Sequence, residues 1–196
     1  MTRSLLIAGA AIAALSLAAC GQKTETKGAA TPAEQAATPD ANPAATIATP
    51  ADEAAAPVFV EKASASDLFE IEAAKLAQAT SKNAEVKKFA ADMIAAHTKS
   101  TAALKKAIAD ANQTTLVLVT VLPADLQAKL DDLKKAANFD KAYLENQVDA
   151  HQGALNLMQR YAQDGDVPAI KAFAASTAPT VQQHYDHAKT LRDATK

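Results

Sequence analysis

Four side chains in this sequence have metal-ligating chemistry and occupy positions where polar groups are not expected: Glu72, His97, His151 and His184. Turned at about 100° per residue, the segments around them read as amphipathic helices, and each of the four falls inside an apolar arc. His97 lies among Met93, Ile94, Thr101 and Leu104, and His151 beside Val148, Ala154 and Leu155. His184 sits with Val181, Tyr185 and Ala188, and Glu72 with Leu68, Leu76 and Ala79. A buried polar group left without a partner costs about 1–3 kcal/mol. Each of these must therefore meet another side chain or an ion. A carboxylate and three imidazoles, one from each of four helices, is a ligand distribution that metal sites in bundles use. It suits one transition metal ion (Zn²⁺, Cu²⁺ or Fe²⁺) better than Ca²⁺ or Mg²⁺. The competing arrangement is a network without metal, in which Glu72 accepts from one imidazole and Tyr143, Tyr161 or Tyr185 satisfies the others. A carboxylate-bridged di-iron site needs Glu-x-x-His pairs. The residues three before His97, His151 and His184 are Ile94, Val148 and Val181, which excludes that class.

The elements that must position these groups follow from the same periodicity. A first helix is expected over 67–82, opened by Asp67 with Glu70 three residues on as a capping box. In that register Glu70 faces solvent and Glu72 faces inward. A second, long helix is expected over 85–111, joined to the first by a short turn, so that the two form an antiparallel hairpin. Residues 113–122 are β-branched and extended, ending at Pro123. With no second strand to pair, they read as a crossover covered by the bundle. A short helix over 124–137 follows, then long helices over 139–163 and 168–193, separated by Asp164-Gly165-Asp166. Pro179 interrupts the last of these and is expected to kink it. His187 falls at the edge of its arc and is expected to be exposed. The fold class is thus all-α, a four-helix bundle with a crossover segment and a short extra helix.

Outside the bundle the chain has a different character. Residues 1–19 carry Arg3, an apolar run and then small residues, the pattern of a secretory signal peptide. The run closes on Leu17-Ala18-Ala19-Cys20-Gly21, which resembles the bacterial lipoprotein box. That resemblance implies cleavage before Cys20, lipidation of Cys20 and a membrane anchor. With Gly21 following, it also implies the periplasmic face of the outer membrane. Cys20 is the only cysteine, so no internal disulfide forms. Residues 20–63 are rich in Ala, Thr and Pro and lack apolar periodicity, which reads as a disordered tether. Residues 64–196 form the folded domain. Over that domain, basic and acidic residues balance, and the whole chain carries a net charge of −2. No basic stripe with aromatics is present, so nucleic acid is not an expected partner.

One set of residues carries a resemblance. It consists of Phe89-Ala90-x-x-Met93-Ile94-x-x-His97, then Phe139-Asp140-x-x-Tyr143 with His151, then Phe173-Ala174 with Pro179-Thr180 and His184. Together they resemble the bacterial domain of unknown function 4142 family, which implies a ferritin-like bundle in an exported protein. Members commonly carry an aspartate before the first histidine. Here that position is Ala96, which removes a second carboxylate from the set. The family has no settled activity. The expected function is a non-enzymatic lipoprotein facing the periplasm, concerned with envelope stress or with binding a small ligand or metal. The alternative is a mononuclear metalloprotein with redox or metal-buffering activity through Glu72, His97, His151 and His184.

Overall fold

A computed structural model describes residues 54–195. The expected signal peptide, Cys20 and the tether as far as residue 53 lie outside the described residues. Five helices follow in order: α1 (Ala56–Thr80), α2 (Ala84–Asp110), α3 (Ala124–Lys135), α4 (Phe139–Asp164) and α5 (Pro168–Ala194). No strand occurs among the described residues.

Local chemistry sets most of the helix ends. Asn83 caps α2 by accepting from the Glu85 amide, and Asn138 caps α4 by accepting from the Lys141 amide. Pro57 and Pro168 stand in the first turns of α1 and α5, where the missing N–H has no helical partner to lose. At the end of α2, Asn112 adopts φ 54° and its amide bonds the Ala109 carbonyl, while the Gln113 amide bonds that of Ile108. This pair of back-bonds is the Schellman arrangement, and Asn is one of the few residues besides Gly that tolerates its left-handed position. Gly165 ends α4 by close approach. A Cβ built there would lie 2.5 Å from both the ring and the carbonyl oxygen of Tyr161.

The four long helices form a closed bundle in which α1 packs on α2 and α4, and α5 packs on α2 and α4. Both α1–α2 and α4–α5 are hairpins. The start of α1 meets the end of α4, where the Ala56 amide donates to Asp166 Oδ1 and the Asp166 amide to the Ala54 carbonyl. Helices α2 and α4 therefore run parallel and need one long crossover, the connectivity found in ferritin-like bundles. The crossover rises past α1, with the Val119 amide donating to Ser64 Oγ. α3 then packs across α1 and α4. Leu116 and Leu118 turn toward the core, whereas Val117 and Val121 are 77% and 78% exposed. The expectation that the crossover would be covered thus holds for Leu116, Leu118, Val119 and Leu122, which are partly buried, and fails for Val117 and Val121. α5 continues through Pro179 as a single helix.

The start of α1 corrects the sequence reading. It begins at Ala56, so residues 56–63, assigned above to the tether, are helical and contribute Phe59, Val60 and Ala63 to the core. Asp67 is accordingly in mid-helix and buried, not a cap. The buried face of α1 runs through Phe59, Ala63, Asp67, Glu70, Ala74 and Ala77. Leu68, Ile71 and Leu76, which suggested the opposite face, are only partly buried. Alanine carries little hydrophobic weight but lets helices approach closely, so between Phe59 and Ala77 the leucines and the isoleucine of α1 do not mark its innermost face.

Two apolar clusters fill the bundle. One is built around Phe59, Leu104, Met158, Tyr161, Ile170 and Phe173. The other is built around Phe69, Val86, Phe89, Met93, Tyr143 and Leu144. Each long helix passes from one cluster to the other, and each carries polar residues where it crosses between them.

Candidate functional site

The polar layer holds Asp67 and Glu70 from α1, His97 from α2, Gln147 and His151 from α4, and His184 from α5. The i, i+3 and i, i+4 steps of an α-helix bring these residues to the same level between Ala63 and Ala73, between Leu104 and Met93, and between Leu155 and Leu144.

The three imidazoles converge. Ring centroids are 5.6 Å apart for His97 and His151, 5.9 Å for His97 and His184, and 5.4 Å for His151 and His184. One ring nitrogen from each lies within 4.8 Å of the others. Tetrahedral coordination at Zn–N distances of about 2.0–2.1 Å spaces nitrogens about 3.3 Å apart, so side-chain rotations that close the triangle by roughly 1.5 Å complete it.

Two of the rings are held from behind. Nδ1 of His97 lies 2.8 Å from Asp67 Oδ1, and the other carboxylate oxygen accepts from Thr101 Oγ1 at 3.0 Å. Nδ1 of His151 donates to the Gln147 carbonyl one turn earlier, at 2.8 Å. What remains is His97 Nε2, His151 Nε2 and His184 Nδ1, all buried and without a hydrogen-bond partner. A carboxylate or carbonyl on one ring nitrogen, fixing the tautomer so that the other offers its lone pair, is how metal-binding histidines are oriented.

The electrostatics separate the three rings. Burial depresses His97, but the hydrogen bond to Asp67 and the charges of Glu70 and Asp67 outweigh it and hold its pKa above the ordinary value. Burial, followed by the charge of His97, pushes His151 down to about 4. Burial, followed by the charges of His151 and His97, does the same to His184. Glu70 is raised, chiefly by burial, with the His97 charge and the Gln147 side chain pulling the other way. Gln147 Nε2 donates to one Glu70 oxygen, while the other, Oε1, has no partner. Asp67 and Glu70 thus place two carboxyl groups in the same buried layer as the imidazoles.

The structure brings His97, His151 and His184 together and leaves Glu72 out. Glu72 lies on the outer part of α1, paired with Lys75 at 2.8 Å, its side chain 37% exposed. The corrected register of α1 turns Glu70 inward and Glu72 outward, the reverse of the expectation. Asp67, Glu70 and Gln147 are the residues that sequence reasoning missed. A stripe of steps of three and four from Phe59 to Ala77 pointed to the first two, and the position one turn before His151 pointed to the third. Tyr161 serves no imidazole, since its hydroxyl donates to Asp166 at 2.9 Å, and the buried Tyr143 hydroxyl has no partner. His187 is exposed, as its position at the edge of the arc predicted.

The family described as Domain of unknown function (DUF4142) matches residues 31–191. The chain belongs to the DUF4142 family. The match spans the whole polar layer of this DUF4142 domain and all four long helices except the last residues of α5. No curated protein and no solved structure matches the chain.

Proposed function

We propose that this DUF4142 domain is a non-enzymatic, mononuclear metal-binding module, holding one Zn²⁺, Cu²⁺ or Fe²⁺ ion through His97, His151 and His184. One observation carries the reading: the three imidazoles bring one ring nitrogen each within 4.8 Å of the others, and each ring keeps a buried nitrogen without a partner, while Nδ1 of His97 and of His151 is pinned by Asp67 and the Gln147 carbonyl. Three imidazoles select first-row transition metals over the hard alkaline-earth ions. A hydrogen-bonded network alone leaves those three nitrogens unsatisfied, at about 1–3 kcal/mol each. The module is carried by an exported protein, anchored to the membrane by a lipid on Cys20 and facing the periplasm, where it buffers metal in the envelope. Sequence supports that address through the apolar run, the small residues before Cys20 and the Pro-rich stretch after it. Among the described residues no helix is long and apolar enough to cross a membrane, so nothing in the bundle competes with a lipid anchor.

Metal analysis tests the site. Protein purified without a His tag or chelators is expected to carry up to one first-row metal per chain. Adding Zn²⁺, Cu²⁺ or Fe²⁺ at about a thousand times Kd should stabilise it by about 4 kcal/mol. The gain should vanish in the His97→Ala/His151→Ala/His184→Ala variant. No stoichiometric metal and no stabilisation by any of the three ions would remove the reading. For the address, Cys20→Ser should release the protein from the membrane fraction, and retention there would refute the anchor.

A further inference from the structure

His97 Nε2, His151 Nε2 and His184 Nδ1 are closed off from solvent by the surrounding helices. An ion therefore reaches them only if a ring moves, and the rings differ in how firmly each is held. His97 is 6% exposed and its Nδ1 is fixed by Asp67, while His151 is 1% exposed and its Nδ1 is fixed by the Gln147 carbonyl. His184 is only partly buried and has no such support among the described residues. A cavity of about 40 Å³ adjoins His97 and His184 but not His151, so the His184 ring also has slack beside it. Pro179 brings no amide to the Ala175 carbonyl, so α5 lacks one helical bond about a turn before His184.

What His184 meets on turning outward follows from the register of α2 against α5. The two run antiparallel, because α2 is parallel to α4 and α4–α5 is a hairpin. The rings of Phe89 and His187 meet edge to face, with centroids 5.1 Å apart. Three residues forward on α2 and three back on α5 keep the same relative height, about one turn along. That step leads from Phe89 to Asp92 and from His187 to His184. The same count continues to Ala96 and Thr180, which both line the cavity. Asp92 is exposed and near enough for its charge to act on the His184 ring. The α2–α5 seam thus sets a carboxylate on the solvent side of the one imidazole that is not pinned.

We infer that divalent first-row metal ions enter and leave the imidazole triangle along the α2–α5 seam by outward rotation of His184, and that Asp92 receives the ring in its outward position. His184 is then both a ligand and the gate, whereas His97 and His151 are fixed ligands. The inference rests on the metal reading above and adds to it the route and the moving part. Entry and exit pass through the same open arrangement, so a group that stabilises only that arrangement speeds both and leaves the affinity alone.

The test follows uptake of Co²⁺ by the intact chain through its visible absorption, and release into excess EDTA. Asp92→Ala should slow uptake and release by the same factor, about two- to fivefold, which is what an exposed ion pair contributes, with Kd unchanged. A variant that merely disturbed the fold would change Kd. A second measurement treats the metal-free chain with diethyl pyrocarbonate and maps the modified histidines by mass spectrometry. The exposed His187 should react first, then His184, and His97 and His151 last. Co²⁺ should protect His184. Uptake and release rates that Asp92→Ala leaves untouched, or a change in Kd, would overturn the role of Asp92. Reaction of His97 or His151 ahead of His184 would overturn the gate and leave the metal reading standing. Absence of any Co²⁺ uptake by the unmodified chain would overturn the metal reading and this inference with it.

Discussion

Exchanging Asp67 for asparagine separates the polar layer seen in the structure from the one the helix periodicity suggested. Asp67 is 5% exposed, accepts from His97 Nδ1 at 2.8 Å and from Thr101 Oγ1 at 3.0 Å, and helps raise the His97 pKa above its ordinary value. The carboxamide would keep the shape and one accepting oxygen but lose the charge. Removing one member of a buried ion pair costs about 3–5 kcal/mol, and a hydrogen bond to a charged group contributes about 1.5–3 kcal/mol. With one acceptor retained, Asp67→Asn should cost about 2–3 kcal/mol. The control is Glu72→Gln. Its half-exposed pair with Lys75 is screened by solvent, so stability should change by no more than about 0.5 kcal/mol. The assay is urea unfolding of both variants with a common m-value. The His97 pKa is raised in the folded state, so its contribution is complete below the unfolded value and is lost as pH rises through the folded one. The cost of Asp67→Asn should therefore be largest below the unfolded value of about 6.5 and should shrink as pH rises through the folded one. Metal affinity should also fall, by about 10–100-fold, because the carboxylate orients a ligand. If Asp67→Asn were neutral, or Glu72→Gln the more damaging, the corrected register of α1 and the layer built on it would be wrong.

Two further perturbations probe the same bundle. His151 binds a proton near 6.5 when unfolded and only at about 4 when folded, so between these values the unfolded chain holds more protons and stability falls as pH falls. The loss attributable to His151 is on the order of 3 kcal/mol. His184, which is less buried, should add less, and urea midpoints measured across that range with and without His151→Leu check it. At the α4–α5 turn, Gly165→Ala should destabilise by about 1–3 kcal/mol, because the new methyl group would meet the Tyr161 ring and carbonyl oxygen at 2.5 Å. Thermal unfolding that left the melting temperature unchanged would refute the close-approach account.

The family resemblance and the bundle were legible because α2, α4 and α5 bury large side chains. Val86, Phe89, Met93 and Leu104 on α2, or Tyr143, Leu144, Val148 and Leu155 on α4, mark an inner face by size and spacing. A histidine within such a stripe is then placed by its neighbours, and His97, His151 and His184 were found in this way. On α1 the inner face is largely alanine, with Asp67 and Glu70 in the same stripe. The bulkier Leu68, Ile71 and Leu76 therefore suggested the wrong side, and with it Glu72 rather than Glu70. Asp67 followed three residues on by Glu70 also imitates a capping box, a local pattern that cannot distinguish a helix start from two charged residues on one buried face.

By itself, the sequence determined the number of long helices, their hairpin pairing and the three imidazoles that face inward, because each is a matter of periodicity along a single segment. Only the tertiary structure decided which carboxylates join those imidazoles, which ring nitrogens are pinned and which are left without partners. Those properties depend on the rotation and height of one helix against another. A helix's own sequence records its height only through the length of its loops, and its rotation only through side chains large enough to show which way it turns.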